Sequence, residues 1–370
     1  MAIAGGGLIG ASIAFELAQA GLNVGLFDSQ QPGGEASWAA AGILSPAPEN
    51  AAMVSTVPLG RASLAMYPEF VESIEKLSGI CTGYRAKGTV EAFFSGDAKA
   101  KLSTVVALHH GLGLKAEALS AEEARELEPA LSSELEAAVR RPDEACVDNR
   151  ALTRAALIAA ERAGAKIFPG STVRAVSRKQ QSCDGLWVGE EHIEARWTII
   201  AAGCYSAKIT GAEAFAPVRP AKGQILALRA KAVKIERVLW SEQVYLVPRN
   251  DGRIVAGATV EYVGFEKGVS AGAMQKILAG AIELAPALAD AQIEETWSGL
   301  RPDSPDHLPI IGPTDVDGLL IATGHFRSGI LLAPITARLL REWITKQSVS
   351  VDWARYSPMR FVETARATNS

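Results

Sequence analysis

Gly5, Gly7 and Gly10 satisfy G-x-G-x-x-G. In that pattern the first glycine allows a tight turn, the second lets backbone approach a pyrophosphate, and the third lets helix and strand pack closely. Asp28 follows about 20 residues later, the usual spacing for a carboxylate that accepts a hydrogen bond from a ribose 2′-hydroxyl. It would repel a 2′-phosphate, so FAD or NAD fits and NADP does not. A second glycine-bearing turn, Gly324-His-Phe-Arg-Ser-Gly329, precedes the last long apolar segment. A helix starting there would aim N–H groups at a cofactor ring and stabilise negative charge on it. Arg301 follows Thr296-Trp-Ser-Gly-Leu in a nearly uncharged stretch. Its guanidinium fork suits a carboxylate through two parallel hydrogen bonds, the plainer alternative being a surface ion pair. Tyr245 alternates with Val244 and Leu246 on a strand-like run, so it faces either a core or a site.

These residues need elements to hold them. The run before Gly5 reads as a strand, and Ile13, Leu17 and Ala20 give the segment behind the turn a helical apolar stripe that Gly21 ends. Val24 to Phe27 reads as the second strand. Residues 31–43, glycines and alanines with Trp38 and almost no charge, read as a loop hugging a flat ligand rather than a linker. Apolar spacing predicts helices over 59–77, ended by Gly79, and 98–109, with a strand over 89–94 between them. His109 and His110 are adjacent, cannot share a helix face, and read as a solvated pair. Ser120-Ala-Glu-Glu123 has the form of a capping box, and Asn149 reads as the cap of a helix over 150–163. Strands over 166–168, 172–176, 186–188 and 197–203 would extend the opening sheet. Composition shifts at Val218. Strands over 223–228, 244–247 and 253–260, the last two joined by Arg249-Asn-Asp-Gly252, predict antiparallel pairing. A helix over 270–288 follows, 308–312 and 319–323 return to the first sheet, and a helix over 330–346 closes the chain.

The fold class expected is α/β, a Rossmann-like dinucleotide-binding domain with a second α+β substrate domain built on an antiparallel sheet. Residues 1-80, 147-214 and 298-370 would make a discontinuous first domain, and 81-146 and 215-297 the second. A chain of 370 residues is long enough for two cores. A net charge of -4 with no basic block disfavours nucleic acid. No apolar run approaches the ~20 residues of a membrane span. The apolar N-terminus is not a signal peptide, because no positive region precedes it and Glu16 interrupts it. Cys81, Cys146, Cys183 and Cys204 are scattered without C-x-x-C or nearby histidine, which disfavours a metal site and disulfides and favours a reducing cytoplasm. A polar tail from about Glu363 is expected to fray.

The fingerprint occurs once, whereas a flavoenzyme reduced by NAD(P)H would ordinarily need a second dinucleotide site. FAD reduced by the substrate itself is therefore favoured. On Ala36-Ser-Trp-Ala-Ala-Ala-Gly42, Val244-Tyr-Leu-Val-Pro-Arg249, Gly257-Ala-Thr259, Gly299-Leu-Arg-Pro302 and Gly324-His-Phe-Arg-Ser-Gly-Ile-Leu-Leu-Ala-Pro334, nearly the whole chain resembles one flavoenzyme family. This is the D-amino-acid oxidase and sarcosine oxidase group, including the glycine oxidases that feed thiazole formation in thiamine biosynthesis. The resemblance implies that Arg301 and Tyr245 hold a substrate carboxylate and that Arg327 lines the substrate side of the flavin. Beside Gly5, Gly7 and Gly10, it puts Leu8, Ile9, Asp28, Ser29, Ala36, Ser37, Ala41, Gly42, Ile43, Val173, Gly203, His325, Phe326, Arg327, Ser328, Gly329, Ile330 and Leu331 on FAD.

The reaction implied is hydride transfer from the Cα of a small amino acid to the flavin, with molecular oxygen giving hydrogen peroxide. The imine hydrolyses to glyoxylate and ammonia or passes to a thiazole synthase, a possible partner. Some relatives attach flavin through a histidine or cysteine. No histidine precedes His109 and no cysteine falls in the carboxyl-terminal third, so noncovalent FAD is expected. The resemblance also implies a homotetramer. Family members carry histidine where Gln243 stands and methionine where Val260 stands. The smaller valine would shift preference toward sarcosine, N-ethylglycine or D-alanine by only ~1–3 kcal/mol. The alternatives are a D-amino-acid dehydrogenase passing electrons to a quinone or carrier, and an inactive flavin-binding subunit. Arg301 and Tyr245 argue against the latter.

Overall fold

The computed structural model describes all residues except 49, 95, 97 and 363–370, so the expected tail from Glu363 lies outside the described residues. The first strand, Ala2–Ala4, is buried on both faces and pairs in parallel with Gly25–Phe27 and Thr198–Ile200. A strand without a polar face must be covered on both sides. It lies inside a six-stranded sheet ordered Ile310–Pro313, Leu319–Thr323, Thr198–Ile200, Ala2–Ala4, Gly25–Phe27, Lys166–Phe168. Ile310–Pro313 alone of these runs antiparallel to its neighbour.

Ile3, Leu26, Ile199 and Leu320 face one side of this sheet, where the helices Leu8–Gln19, Val57–Ser78, Asn149–Arg162 and Gly329–Ile344 pack on one another. Ala4, Phe27, Ile200 and Ile321 face the other. The segments expected over 172–176 and 186–188 do not extend the sheet. With Glu191–Glu194 they form a separate three-stranded antiparallel sheet, Val173–Lys179 and Ser182–Val188 included, that covers this second face. Tight turns at Gln180 and Gly189, both with positive φ, fold the three strands back on each other. Apolar periodicity carries no information on that choice of sheet.

The eight-stranded sheet has the order Gln292–Asp303, Arg219–Arg229, Arg253–Gly257, Tyr245–Pro248, Val238–Trp240, Thr89–Phe93, Ala137–Arg141, Glu117–Ser120. It is antiparallel as expected except where Val238–Trp240 joins Thr89–Phe93 in parallel. Gln292–Asp303 stays in this sheet through position 298, where a domain boundary was expected. The helix Ala271–Leu284, capped by the Ser270 side chain, covers its apolar face.

The capping box at Ser120 and Glu123 forms, each side chain taking the other's backbone N–H. The cap before Asn149–Arg162 is Asp148 rather than Asn149, its Oδ1 accepting the N–H groups of Arg150 and Ala151 at 3.0 Å. That shift of one residue frees the Asn149 side chain. The expected solvated pair is divided: His110 is exposed, but His109 is buried, accepting at Nε2 from Arg141 Nε at 3.1 Å.

Pro334 lies inside Gly329–Ile344 and has no N–H for the carbonyl of Ile330 four residues earlier. The hydroxyl of Tyr67, fully buried on the neighbouring helix, donates to that carbonyl. Ser63 Oγ donates to Leu331 O at 2.6 Å and accepts from Ile335 N at 3.3 Å. Two helices are thereby pinned at the turn that faces the cavity. Tyr67→Phe should leave a buried carbonyl unpartnered and lower unfolding stability in urea by about 1–3 kcal/mol. An unchanged midpoint would remove this role.

Candidate active site

A cavity of about 990 Å³ is lined by residues of both large sheets, from Gly5 and Asp28 to Arg301 and Tyr245. At its first end Gly5 has φ +107, and a methyl on Gly10 would overlap the Gly5 carbonyl. Gly10 therefore packs helix against turn and does not line the cavity, unlike every other site residue expected from the sequence. The helix Leu8–Gln19 starts at Gly7 without a side-chain cap. Leu8 N donates to Ser37 Oγ at 2.8 Å. Asp28 Oδ2 accepts from Gly6 N at 2.7 Å and Oδ1 from Gln30 N at 2.9 Å, each oxygen retaining a second lone pair. A helix N-terminus whose cap residue, Gly7, has no side chain, a glycine turn and a carboxylate beside them suit the diphosphate and ribose of FAD.

Where a loop was expected over 31–43, Ala36–Ala39 form a short helix, and the carbonyls over residues 37–42 are held by groups outside the segment. Asn149 Nδ2 donates to Ser37 O at 2.8 Å and Trp38 O at 2.9 Å. Arg249, buried beyond the strand Tyr245–Pro248, donates to Ala41 O at 2.8 Å, Asn149 Oδ1 at 2.9 Å and Val147 O at 3.2 Å. Burial pulls its guanidinium below the usual arginine range, opposed by Asp148. Trp297 Nε1 donates to Ala39 O at 3.0 Å, and the Arg150 guanidinium lies 3.6 Å over Trp38 while pairing with Glu295.

At the second helix start, His325 is 4% exposed and its Nε2 lies 3.0 Å from Thr336 Oγ1. Burial pushes its imidazole down to about 3, so the ring is neutral at physiological pH. Phe326 has φ +46 and tilts against His307, itself at φ +60, with ring centroids 5.5 Å apart. Arg327 is exposed along the cavity.

Arg301 is half-buried and donates from Nη1 to Thr259 O at 3.1 Å. Beside it stands the Tyr245 hydroxyl, which burial pushes up and the guanidinium pulls down. The phenol packs edge-on against Trp240 at 5.3 Å, whose Nε1 has no partner among the described residues. Next along the sheet come Glu91, ion-paired with Arg141, and His109 on the same arginine. Gln243 lines the cavity, but Val260 is exposed and does not line it, so the valine is not placed to widen it. Cys204 does line it; burial pushes its thiol up to about 12, so it stays a thiol rather than a flavin-attaching thiolate.

A family model described as FAD dependent oxidoreductase matches residues 1–343. The chain belongs to this family. This FAD dependent oxidoreductase is 32% identical over 366 residues to a glycine oxidase of Geobacillus kaustophilus, covering 98% of this chain and 97% of that one. The crystal structure of glycine oxidase from Geobacillus kaustophilus superposes with a TM-score of 0.92 at 31% identity, covering 97% of this chain and 98% of that chain. A bifunctional protein ThiO/ThiG of Synechocystis is 37% identical over 369 residues, covering 98% of this chain but 54% of that protein. The chain thus spans about half the length of the bifunctional relatives it matches. No helix among the described residues is long and apolar enough to cross a membrane.

The hub residues went unrecognised because Asn149 looked like a cap and Arg249 like part of a hairpin turn. Arg249→Met should strand three acceptors and weaken FAD retention by at least about tenfold, read by flavin release on dialysis. Unchanged retention would contradict the clamp. His325, low in the folded state against 6.5 unfolded, makes the unfolded chain bind more protons between pH 6.5 and 3. Stability should fall as pH falls through that window, by about 2 kcal/mol at pH 5. In His325→Gln that part of the acid sensitivity should vanish; equal acid sensitivity in both proteins would refute it.

Proposed function

We propose that this enzyme catalyses oxidative deamination of glycine and small amines, including sarcosine and small D-amino acids. From glycine the products are the imine, then glyoxylate and ammonia, and hydrogen peroxide; the other substrates give the corresponding oxo acid and amine or ammonia. The observation that carries the proposal is the Arg301 guanidinium beside the Tyr245 hydroxyl, in the cavity that also reaches the glycine turn. The printed names of the glycine oxidase relatives support the choice of substrate.

Arg301 would take the substrate carboxylate through its fork, with the Tyr245 hydroxyl as a further donor. Held by that end, a small amino acid has its Cα–H and amine directed toward the rest of the cavity, which lowers the entropy cost of reaction. When bound, FAD supplies the hydride acceptor and the route by which oxygen takes up electrons. The cofactor would be held at its diphosphate by the turn Gly5 to Leu8, at its ribose by Asp28, and along its length by residues 36–43. The start of Gly329–Ile344 would face the ring. His325, neutral and bonded to Thr336, shapes that turn without adding charge. Arg327 would line the substrate side.

The proposal includes a discontinuous FAD-binding domain over 1-80, 147-214 and 298-370 and a substrate domain over 81-146 and 215-297. It also includes noncovalent FAD, a homotetramer and a cytoplasmic setting. The ThiO/ThiG relatives support delivery of the imine to a thiazole synthase.

Glycine in air should yield peroxide without an added acceptor; turnover only with a quinone or carrier would favour the dehydrogenase alternative. Arg301→Ala should raise KM for glycine on the order of 10²-fold, the loss of paired charge-assisted hydrogen bonds. An unchanged KM would remove the anchor. Acid precipitation should leave the yellow colour in solution; colour in the pellet would mean covalent flavin.

A further inference from the structure

Gly223 lies in a strand interior and Gly257 at the last position of its strand, and glycine weakens a sheet unless something approaches closely. Neither has positive φ, so no left-handed backbone requires glycine at either position. Their neighbours do. A methyl built on Gly223 would stand 2.5 Å from Cζ of Arg301, and one on Gly257 would stand 2.8 Å from the Tyr245 hydroxyl. Side-chain methyls in proteins essentially never approach heavy atoms that closely.

The register explains the arrangement. Ile225 pairs with Gly257 on one side and Trp297 on the other, while Gly257 also pairs with Tyr245. Paired residues share a face of the sheet, and so do residues two apart on one strand. Gly223, Ile225, Gly257, Tyr245 and Arg301 therefore lie on the face that lines the cavity. Arg301, paired with Ala221, reaches diagonally over Gly223 toward Tyr245.

We propose that Gly223 and Gly257 are positioning residues for the carboxylate anchor: they let the guanidinium and the phenol lie flat on the sheet, fixing how deep the carboxylate sits. The inference rests on the anchor proposed above. The three heavy atoms nearest an added methyl on Gly223 all belong to the far end of the flexible Arg301 side chain, so the fold can absorb it by moving Arg301. The guanidinium must then shift by about 1 Å to restore ordinary contact. A shift of that size breaks the paired charge-assisted hydrogen bonds to the carboxylate, a loss on the order of 10²-fold in binding.

The test uses FAD-loaded full-length enzyme and a double-mutant cycle. Gly223→Ala should keep its FAD content and melting temperature, lose on the order of 10²-fold in kcat/KM for glycine, and lose it mainly through KM. Binding of acetate, a carboxylate with no oxidisable amine, should weaken in parallel, read as perturbation of the flavin spectrum. In an Arg301→Lys background, where no planar fork lies over Gly223, adding Gly223→Ala should change kcat/KM by less than about twofold. Wild-type acetate affinity in Gly223→Ala, or the same fold-loss in both backgrounds, would overturn the inference while leaving the anchor intact. If Arg301→Ala binds acetate as wild type does, the anchor fails and this inference with it. Should Gly223→Ala not load FAD, Gly257→Ala carries the test: weakened acetate binding supports the inference, and wild-type binding overturns it.

Discussion

A buried cation joins the two large sheets. Arg249 projects from the end of a strand in the eight-stranded sheet and donates to the carbonyls of Ala41 and Val147 and to Asn149 Oδ1, all on the side of the six-stranded sheet. Burying a guanidinium costs several kcal/mol unless acceptors replace its water, and these three acceptors, with Asp148 4.0 Å away, do so. The segment over 37–42 has no charged side chain and anchors itself only through Ser37, whose Oγ accepts from Leu8 N, and Trp38, which lies under Arg150. Its carbonyls are held from outside, by Asn149, Arg249 and Trp297. Without that clamp the wall between the glycine turn and the substrate end would have no fixed position.

The two ends of the cavity share one electrostatic logic. The helices Leu8–Gln19 and Gly329–Ile344 both begin beside it without a side-chain cap, presenting partial positive charge. Arg301 adds its guanidinium at the other end of the cavity, where the substrate carboxylate is proposed to sit. His325, which would be the next cation, is kept neutral by burial. Pro334 leaves the Ile330 carbonyl without its helical N–H and Tyr67 supplies the donor, while Ser63 bridges Leu331 O and Ile335 N in the same turn. Packing far from the substrate thus decides where one of those helix starts points.

Much of this was legible in the chain. Gly5, Gly7, Asp28 and Gly324 to Gly329 stand out through local backbone chemistry, which a short stretch of sequence specifies. Arg301 and Tyr245 stood out by type and by motif. What stayed hidden depends on pairing between distant strands. Gly223 and Gly257 look like ordinary strand glycines until the register brings Arg301 and Tyr245 over them. Asn149 was misjudged by a single residue, because Asp148 and Asn149 are both good caps and only the helix start distinguishes them. His109 looked solvated because Arg141, 32 residues away, is what buries it. The family resemblance and a strand expected over 253–260 put Val260 near the pocket, but the strand ends at Gly257.

The central claim is that one end of the cavity selects a carboxylate and thereby places a small amino acid against the cofactor. Anaerobic flavin reduction by glycine and by glycinamide, of nearly equal size and carrying the same amine, tests it most directly. Glycine should bleach the flavin readily and glycinamide should do so orders of magnitude more slowly, because the amide carries no charge for Arg301 to pair. Equal bleaching by the two compounds would contradict it.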